Sequence, residues 1–277
     1  MAEIVGAFGV PHNPHFPTLV QANAPQAAEI RSLYGGVTRQ LDAANADTIL
    51  YITSDHYNIF FETCIPIFGI GVAESARGAS DYPALPAREL SIDSELAREL
   101  HRSLVQAGFD VGMMQEFEFD HTVIAPMWFL APTEDIPLVP LFVNGLVPPL
   151  PTARRCFALG AAIRTAIERS PSAKRVAVVA SGSFSLEIGG PRISEDSHTG
   201  VPAPEWLERI LELLRVGQVE QLVDEATGEQ LAHAGNAGGE LLDWITMLAM
   251  FDPAPPAFLE SQPQFGHAFA AWPIPAQ

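Results

Sequence analysis

Apolar residues along this chain fall into two alternating patterns: short unbroken runs, and longer stretches spaced at three and four. Residues 3–9 (EIVGAFG), 48–53, 110–114, 136–145 and 175–183 are runs of the kind a strand shows when both of its faces are covered. Residues 26–44, 91–107, 151–170, 206–214 and 219–226 carry helical spacing, with Ile30, Tyr34, Val37 and Leu41, or Leu96, Leu100 and Leu104, on one face. Gly35 and Gly36 weaken the middle of the first helix. The segment 60–72 reads as strand and loop, and 73–86 as a surface connector beside the site, with a lid as the alternative. Strand and helix patterns alternate over the whole length, which predicts one α/β domain spanning residues 1–277. Its end, residues 252–277, is a proline-rich tail packing on that domain or on a partner.

With 48% hydrophobic residues in 277, the chain can bury a substantial core. Its 33 acidic against 15 basic residues give a formal charge of -18, which excludes nucleic acid as a partner because phosphate binding needs clustered Lys and Arg. No apolar run reaches the roughly 18 residues that span a bilayer, and MAEIVGAFGV lacks the basic start of a signal peptide, so a cytoplasmic protein without a membrane segment is expected. Cys64 and Cys156 are far apart in apolar surroundings and read as buried reduced thiols.

Chemistry enters with GVPHNPHFP, where Pro11 and Pro14 hold His12 and His15 on a stiff loop after the first run, one that cannot become helix. His15 reads as a structural residue bonding its own loop. His56 lies just past the second strand, in DHYN, and Glu240 follows the glycine break GNAGG. Two neutral imidazoles and one carboxylate with other positions open suit a non-haem Fe(II) site handling dioxygen. Strand ends are where open α/β sheets place their ligands. His121 falls at or near a helix start and could simply cap it. Gly238 and Gly239 lack the Lys and Ser or Thr of a phosphate loop, and Ser181 and Ser183 lack the GxSxG of a nucleophile elbow.

The phrases PHNPH, SDHYNIFFETCIPIFGIG, FDHTVIAP, RRCFALGAAIR, GGPR and GNAGGELLDW, in that order, resemble the class III extradiol ring-cleavage dioxygenases, the family of the protocatechuate 4,5-dioxygenase β subunit. The resemblance runs from Glu3 to about Trp272. It implies a mixed central sheet flanked by helices with the metal at strand ends, Fe(II) held by His12, His56 and Glu240, and His121 beside the substrate. It also implies a pocket including Tyr57, Asn58, Ser185 and Leu186, a small catechol-type aromatic and O2 as reactants, and a homo-oligomer or a complex with a small α-type subunit.

One position departs from the family. Where it has an acid/base histidine in a phrase like GGxSH, this chain has SGSFSLEIGG, and the aligned residue is Leu186. Loss of a positioned proton carrier costs about 100-fold to 10,000-fold in rate. His121 alone could then suffice, His15 or His198 could enter the pocket, or the reaction or substrate could differ. A catalytically impaired partner subunit and a metal-dependent hydrolase on the same site are the competing readings.

Overall fold

In a computed structural model that describes residues 1–78, 81–131, 136–193, 197–252 and 254–274, the strands are β1 (Glu3–Val10), β2 (Thr48–Thr53), β3 (Phe68–Gly71), β4 (Ser75–Gly78), β5 (Arg88–Ser91), β6 (Val111–Met114), β7 (Leu138–Val143), β8 (Arg175–Ser181), β9 (Glu187–Ile188), β10 (Thr199–Gly200), β11 (Phe258–Gln262) and β12 (His267–Pro273). The helices are α1 (His15–Gln21), α2 (Ala27–Ala44), α3 (Ser94–Gln106), α4 (His121–Leu130), α5 (Ala153–Arg169), α6 (Pro204–Arg215), α7 (Val219–Glu225), α8 (Gly228–His233) and α9 (Leu241–Leu248). Short side chains start several of them. Asp93, Asp120 and Thr152 accept from the amides of Leu96, Thr122 and Arg155, satisfying donors that the first helical turn leaves free.

Eight strands join in one sheet in the order β11-β12-β1-β8-β2-β7-β3-β6. The inner four, β1, β8, β2 and β7, run parallel, whereas β12 lies antiparallel to β1 and β3 antiparallel to β7. The sheet is therefore mixed, with helices on both faces. Every residue of β2 and β7 is buried, which explains their unbroken apolar runs. The pleat divides them by face: Leu50 and Ile52 join Leu100 of α3, Leu159 of α5 and Trp244 of α9, while Ile49 and Tyr51 join Ile30 and Tyr34 of α2 and Ile124 of α4.

Several expectations change on folding. The two glycines of α2 should cost about 1 kcal/mol each relative to alanine, yet the helix is continuous over 18 residues. At Gly36 a Cβ would come within 2.3 Å of the Phe258 ring, so the missing side chain makes room for the edge strand β11. The loop after β1 does not stay a loop. His15 is the first residue of α1, with Pro14 before it and Pro17 in its first turn, where proline's missing amide has no helical acceptor to lose. Cys64 is exposed and not buried, while Cys156 is buried, and both are free thiols. Residues 258–273, expected within a packing tail, instead enter the sheet as β11 and β12, and Trp272 donates its indole N–H to the Ala254 carbonyl at 2.9 Å. No helix among the described residues is long and apolar enough to cross a membrane.

Candidate active site

Strands β1, β8 and β2 are neighbours and parallel, so Val10, Ser181 and Thr53 finish at one edge of the sheet. The chain leaves that edge toward His12, Ser183 and His56. The His12 loop is held by the buried Tyr34 hydroxyl, which donates to the Pro11 carbonyl at 2.6 Å. The His56 loop is folded by Asp55, whose carboxylate accepts from the amides of Asn58, Ile59 and Phe60 at 3.2, 2.9 and 3.0 Å. Tyr57, between them, takes the left-handed φ of 57° that side chains with a Cβ rarely adopt.

Glu240 reaches the same edge from the turn Gly238–Glu240 that leads into α9. Gly182 permits the approach: its φ is +153°, and a Cβ there would stand 2.8 Å from the Glu240 Cβ. Asp243, one turn into α9, accepts from the Ser54 hydroxyl at 3.0 Å and ties the Glu240 helix to the His56 loop. Burial, and the Glu240 charge beside it, push the Asp243 carboxyl well above the usual range.

These segments bring His12, His56, His121 and Glu240 together. One carboxylate oxygen, Glu240 Oε1, lies 3.3 Å from His12 Nε2 and 3.1 Å from His56 Nε2, while Oε2 accepts from the Ser183 amide at 2.6 Å. His12 Nδ1 lies 3.1 Å from Ser181 Oγ, whose own proton points to Thr53 Oγ1 or to the Thr122 carbonyl. His12 Nδ1–H is therefore the donor to Ser181, which leaves the Nε2 lone pair facing a carboxylate. Two electron-rich atoms at that distance need a proton or a cation between them. The His12, His56 and His121 ligand atoms lie within 4.8 Å of one another, so the cluster could hold a metal ion.

The electrostatics have the same origin. Burial alone would raise the Glu240 carboxyl, but His12 and His56 outweigh it and hold the group well below the usual carboxylate range. Burial lowers the His12 imidazole despite Glu240. At His56 burial also acts downward, yet the hydrogen bond and charge of Glu240, with Asp120 and Asp55, carry the net shift upward.

The remaining sequence candidates stand around this cluster in different ways. His121 opens α4, with its ring centroid 4.8 Å from that of His56 and 5.8 Å from that of His12. Its backbone amide donates to Asp81 Oδ1 at 2.9 Å and its Nδ1 bonds Asp81 Oδ2. His15 is exposed and shares a 2.7 Å hydrogen bond with the Tyr82 hydroxyl. His198 is exposed on the connection between β9 and β10, where its carbonyl accepts from the Gly189 amide. Leu186 is half-buried, its carbonyl accepting from Ala237 beside the Glu240 turn. Ser185 is fully buried and its hydroxyl accepts from the Ala203 amide ahead of α6, so it serves the fold. Tyr57 lines a small hollow with Asp55, Phe60, Pro66 and Phe142, and the Asn58 side chain donates to the Glu118 carbonyl.

Sequence reasoning missed the residues that hold these groups. Adjacency alone makes no pair of Asp120 and His121, since sequence neighbours do not face each other: Asp120 accepts from the His56 amide at 3.0 Å, and the carboxylate on His121 is Asp81, forty residues away. Only Asp120 carried a signal, as a cap residue before an apolar run.

A family model described as the catalytic LigB subunit of aromatic ring-opening dioxygenase matches residues 6–271. Gallate dioxygenase of Pseudomonas putida is 36% identical over 55% of this chain, and the match spans only 44% of that relative. The 2,3-dihydroxyphenylpropionate/2,3-dihydroxicinnamic acid 1,2-dioxygenase of Klebsiella pneumoniae is 26% identical, covering 85% of this chain and 86% of the relative. Among solved structures, an uncharacterized protein from Escherichia coli K12 superposes with a TM-score of 0.58 at 16% identity, over 96% of this chain and 98% of the other, which shows a shared fold.

Proposed function

We propose that this chain, which belongs to the family of catalytic LigB subunits of aromatic ring-opening dioxygenases, performs extradiol cleavage of a catechol-type aromatic by dioxygen at an Fe(II) centre. The observation that carries this reading is the single carboxylate oxygen of Glu240 facing the Nε2 atoms of both His12 and His56. Two neutral imidazoles and one carboxylate are the donor set that suits ferrous iron and leaves coordination positions free for other ligands. We assign these three as the ligands because Glu240 Oε1 faces the Nε2 atoms of both His12 and His56, and we keep the Nε2 of His121, whose Nδ1 bonds Asp81, for the substrate. A ferrous ion held there would favour loss of a proton from a coordinated hydroxyl and bring aromatic and dioxygen side by side.

The protein's own groups have separate tasks in this scheme. Ser181 fixes the His12 ring, the Ser183 amide aims Glu240, and Asp120 holds the backbone of the His56 loop. His121, with Nδ1 occupied, presents Nε2 as the atom that hydrogen-bonds the substrate hydroxyl or the oxygen and carries the proton. Leu186 leaves that wall apolar, which favours a bulky or uncharged ring substituent over a compact carboxylate. The related enzymes named for gallate and for 2,3-dihydroxyphenylpropionate support a hydroxylated aromatic as the substrate class.

Protein purified without oxygen, analysed for metal and then given a panel of catechols and aminophenols, tests the reading. Iron in the protein, oxygen uptake and a product heavier than the substrate by both atoms of O2 are expected. Zinc in the site with no oxygen uptake, or iron-loaded protein that opens none of the rings, would overturn it.

A further inference from the structure

The segment before Pro83 bonds two histidines with two consecutive side chains. Asp81 reaches His121 at the start of α4, and Tyr82 reaches His15 at the start of α1. The two helices pack against each other, so the loop is fastened at both of their first residues. Asp81 uses both of its oxygens on one residue: Oδ1 accepts from the His121 backbone amide at 2.9 Å and Oδ2 from the ring Nδ1. Those two hydrogen bonds fix the position and the rotation of the ring together. With Nδ1 turned to Asp81, Nε2 is the nitrogen left on the opposite edge of the ring.

We infer that Asp81 is a positioning residue for catalysis, the carboxylate that holds His121 in the orientation and tautomer needed to exchange a proton with an oxygen of the aromatic substrate. This rests on the ring-opening function proposed above. It also gives a reason for Leu186: when one of two proton carriers is absent, the remaining one must be held in place, and here it is. The carboxylate is 23% exposed and the ring 13% exposed, so their hydrogen bond is only partly open to competition from water. Helix capping alone does not account for the contact. Asp120 already caps α4 through the Thr122 amide, and capping requires nothing of the His121 ring.

Asp81→Asn separates the two roles, because the amide oxygen can still accept from the His121 backbone while the carboxylate partner of Nδ1 is gone. In metal-free protein labelled with 15N-histidine, a strongly downfield Nδ1 proton should appear, vanish in His121→Gln, which assigns it, and be lost or shifted upfield in Asp81→Asn. With iron bound, kcat of Asp81→Asn should fall about 10-fold to 100-fold while KM stays within about 2-fold, the range usual for removing a group that orients a catalytic one. Absence of the resonance in unmodified protein, its survival in Asp81→Asn, or its loss with kcat unchanged would each overturn the inference. If unmodified iron-loaded protein opens no ring, the functional proposal fails, and the resonance still decides whether Asp81 holds His121.

Discussion

Glu240 and His12 are almost wholly buried and meet groups delivered by three different strand ends, whereas His121 and Asp81 meet in partial contact with solvent, across a loop and a helix start. The floor is fixed by the register of the parallel strands: Val10 stands beside Ser181, and Ser181 bonds Thr53. The rim depends on one loop bonding two histidines. In the proposed scheme the floor holds the ion without moving, while the rim can be tuned, or broken, by a single side chain. Damage to the floor should remove the metal; damage to the rim should slow the reaction with the metal in place.

The sharpest break in that comparison is Glu240→Gln. The amide keeps the shape and an acceptor for the Ser183 N–H, but it withdraws the negative charge that faces two imidazoles. Iron content should fall to a small fraction of stoichiometric, and oxygen uptake with catechols should drop more than 100-fold, beyond the roughly 10-fold to 100-fold effect of an outer partner. Metal analysis on the folded variant checks it. A variant that keeps its iron would remove Glu240 from the floor and leave the three histidines as the ligand set.

A second prediction concerns stability where the floor meets the outer strands. His267 begins β12 beside β1, is buried against Phe16, Phe265 and Phe269, and is paired with the Gln262 side chain at 2.9 Å. Burial drives its pKa down from 6.5 to about 3. As pH falls below 6.5 the unfolded chain takes up a proton that the folded chain refuses, so the native state loses stability until pH nears 3. At about 1.4 kcal/mol per pH unit, the loss amounts to a few kcal/mol. Urea unfolding at pH 7, 5 and 4 should show it, with a shallower decline in His267→Gln; equal declines would assign the acid sensitivity to other groups.

The same contrast explains what could be read from the sequence. Buried parallel strands and amphipathic helices leave periodic traces, so β1, β2, β7, β8 and most of the long helices were legible from apolar spacing. The order of separated motifs placed His12, His56 and Glu240 in one story, and the fold does bring them together. The connector 73–86 that carries Asp81 was read as lying beside the site, but its partner was not legible, because a bond between a loop residue and a helix start forty positions on has no period. Helix α1 was hidden by its prolines, which a first turn tolerates. Strands β11 and β12 were hidden by the prolines around them, although HAFAAW itself is a buried run.

The smallest effect, and the one that best tests the rim, comes from Leu186→His. The Leu186 carbonyl accepts from the Ala237 amide and the residue is half-buried just ahead of β9, so the substitution changes the side chain and leaves that backbone hydrogen bond available. A second proton carrier should raise turnover of simple catechols by a few-fold, well short of the 100-fold to 10,000-fold that a histidine supplies where it is the principal carrier, because in the proposed scheme His121 is that carrier. The gain should be larger in the Asp81→Asn background, where His121 has lost its carboxylate, than in the unmodified chain. Neighbouring groups that share a task give such unequal effects, whereas independent ones add. Turnover numbers for the four proteins of this cycle, compared at equal iron content, decide it. An equal gain in both backgrounds would mean that His121 and position 186 act on different steps, and the rim would then be two separate devices.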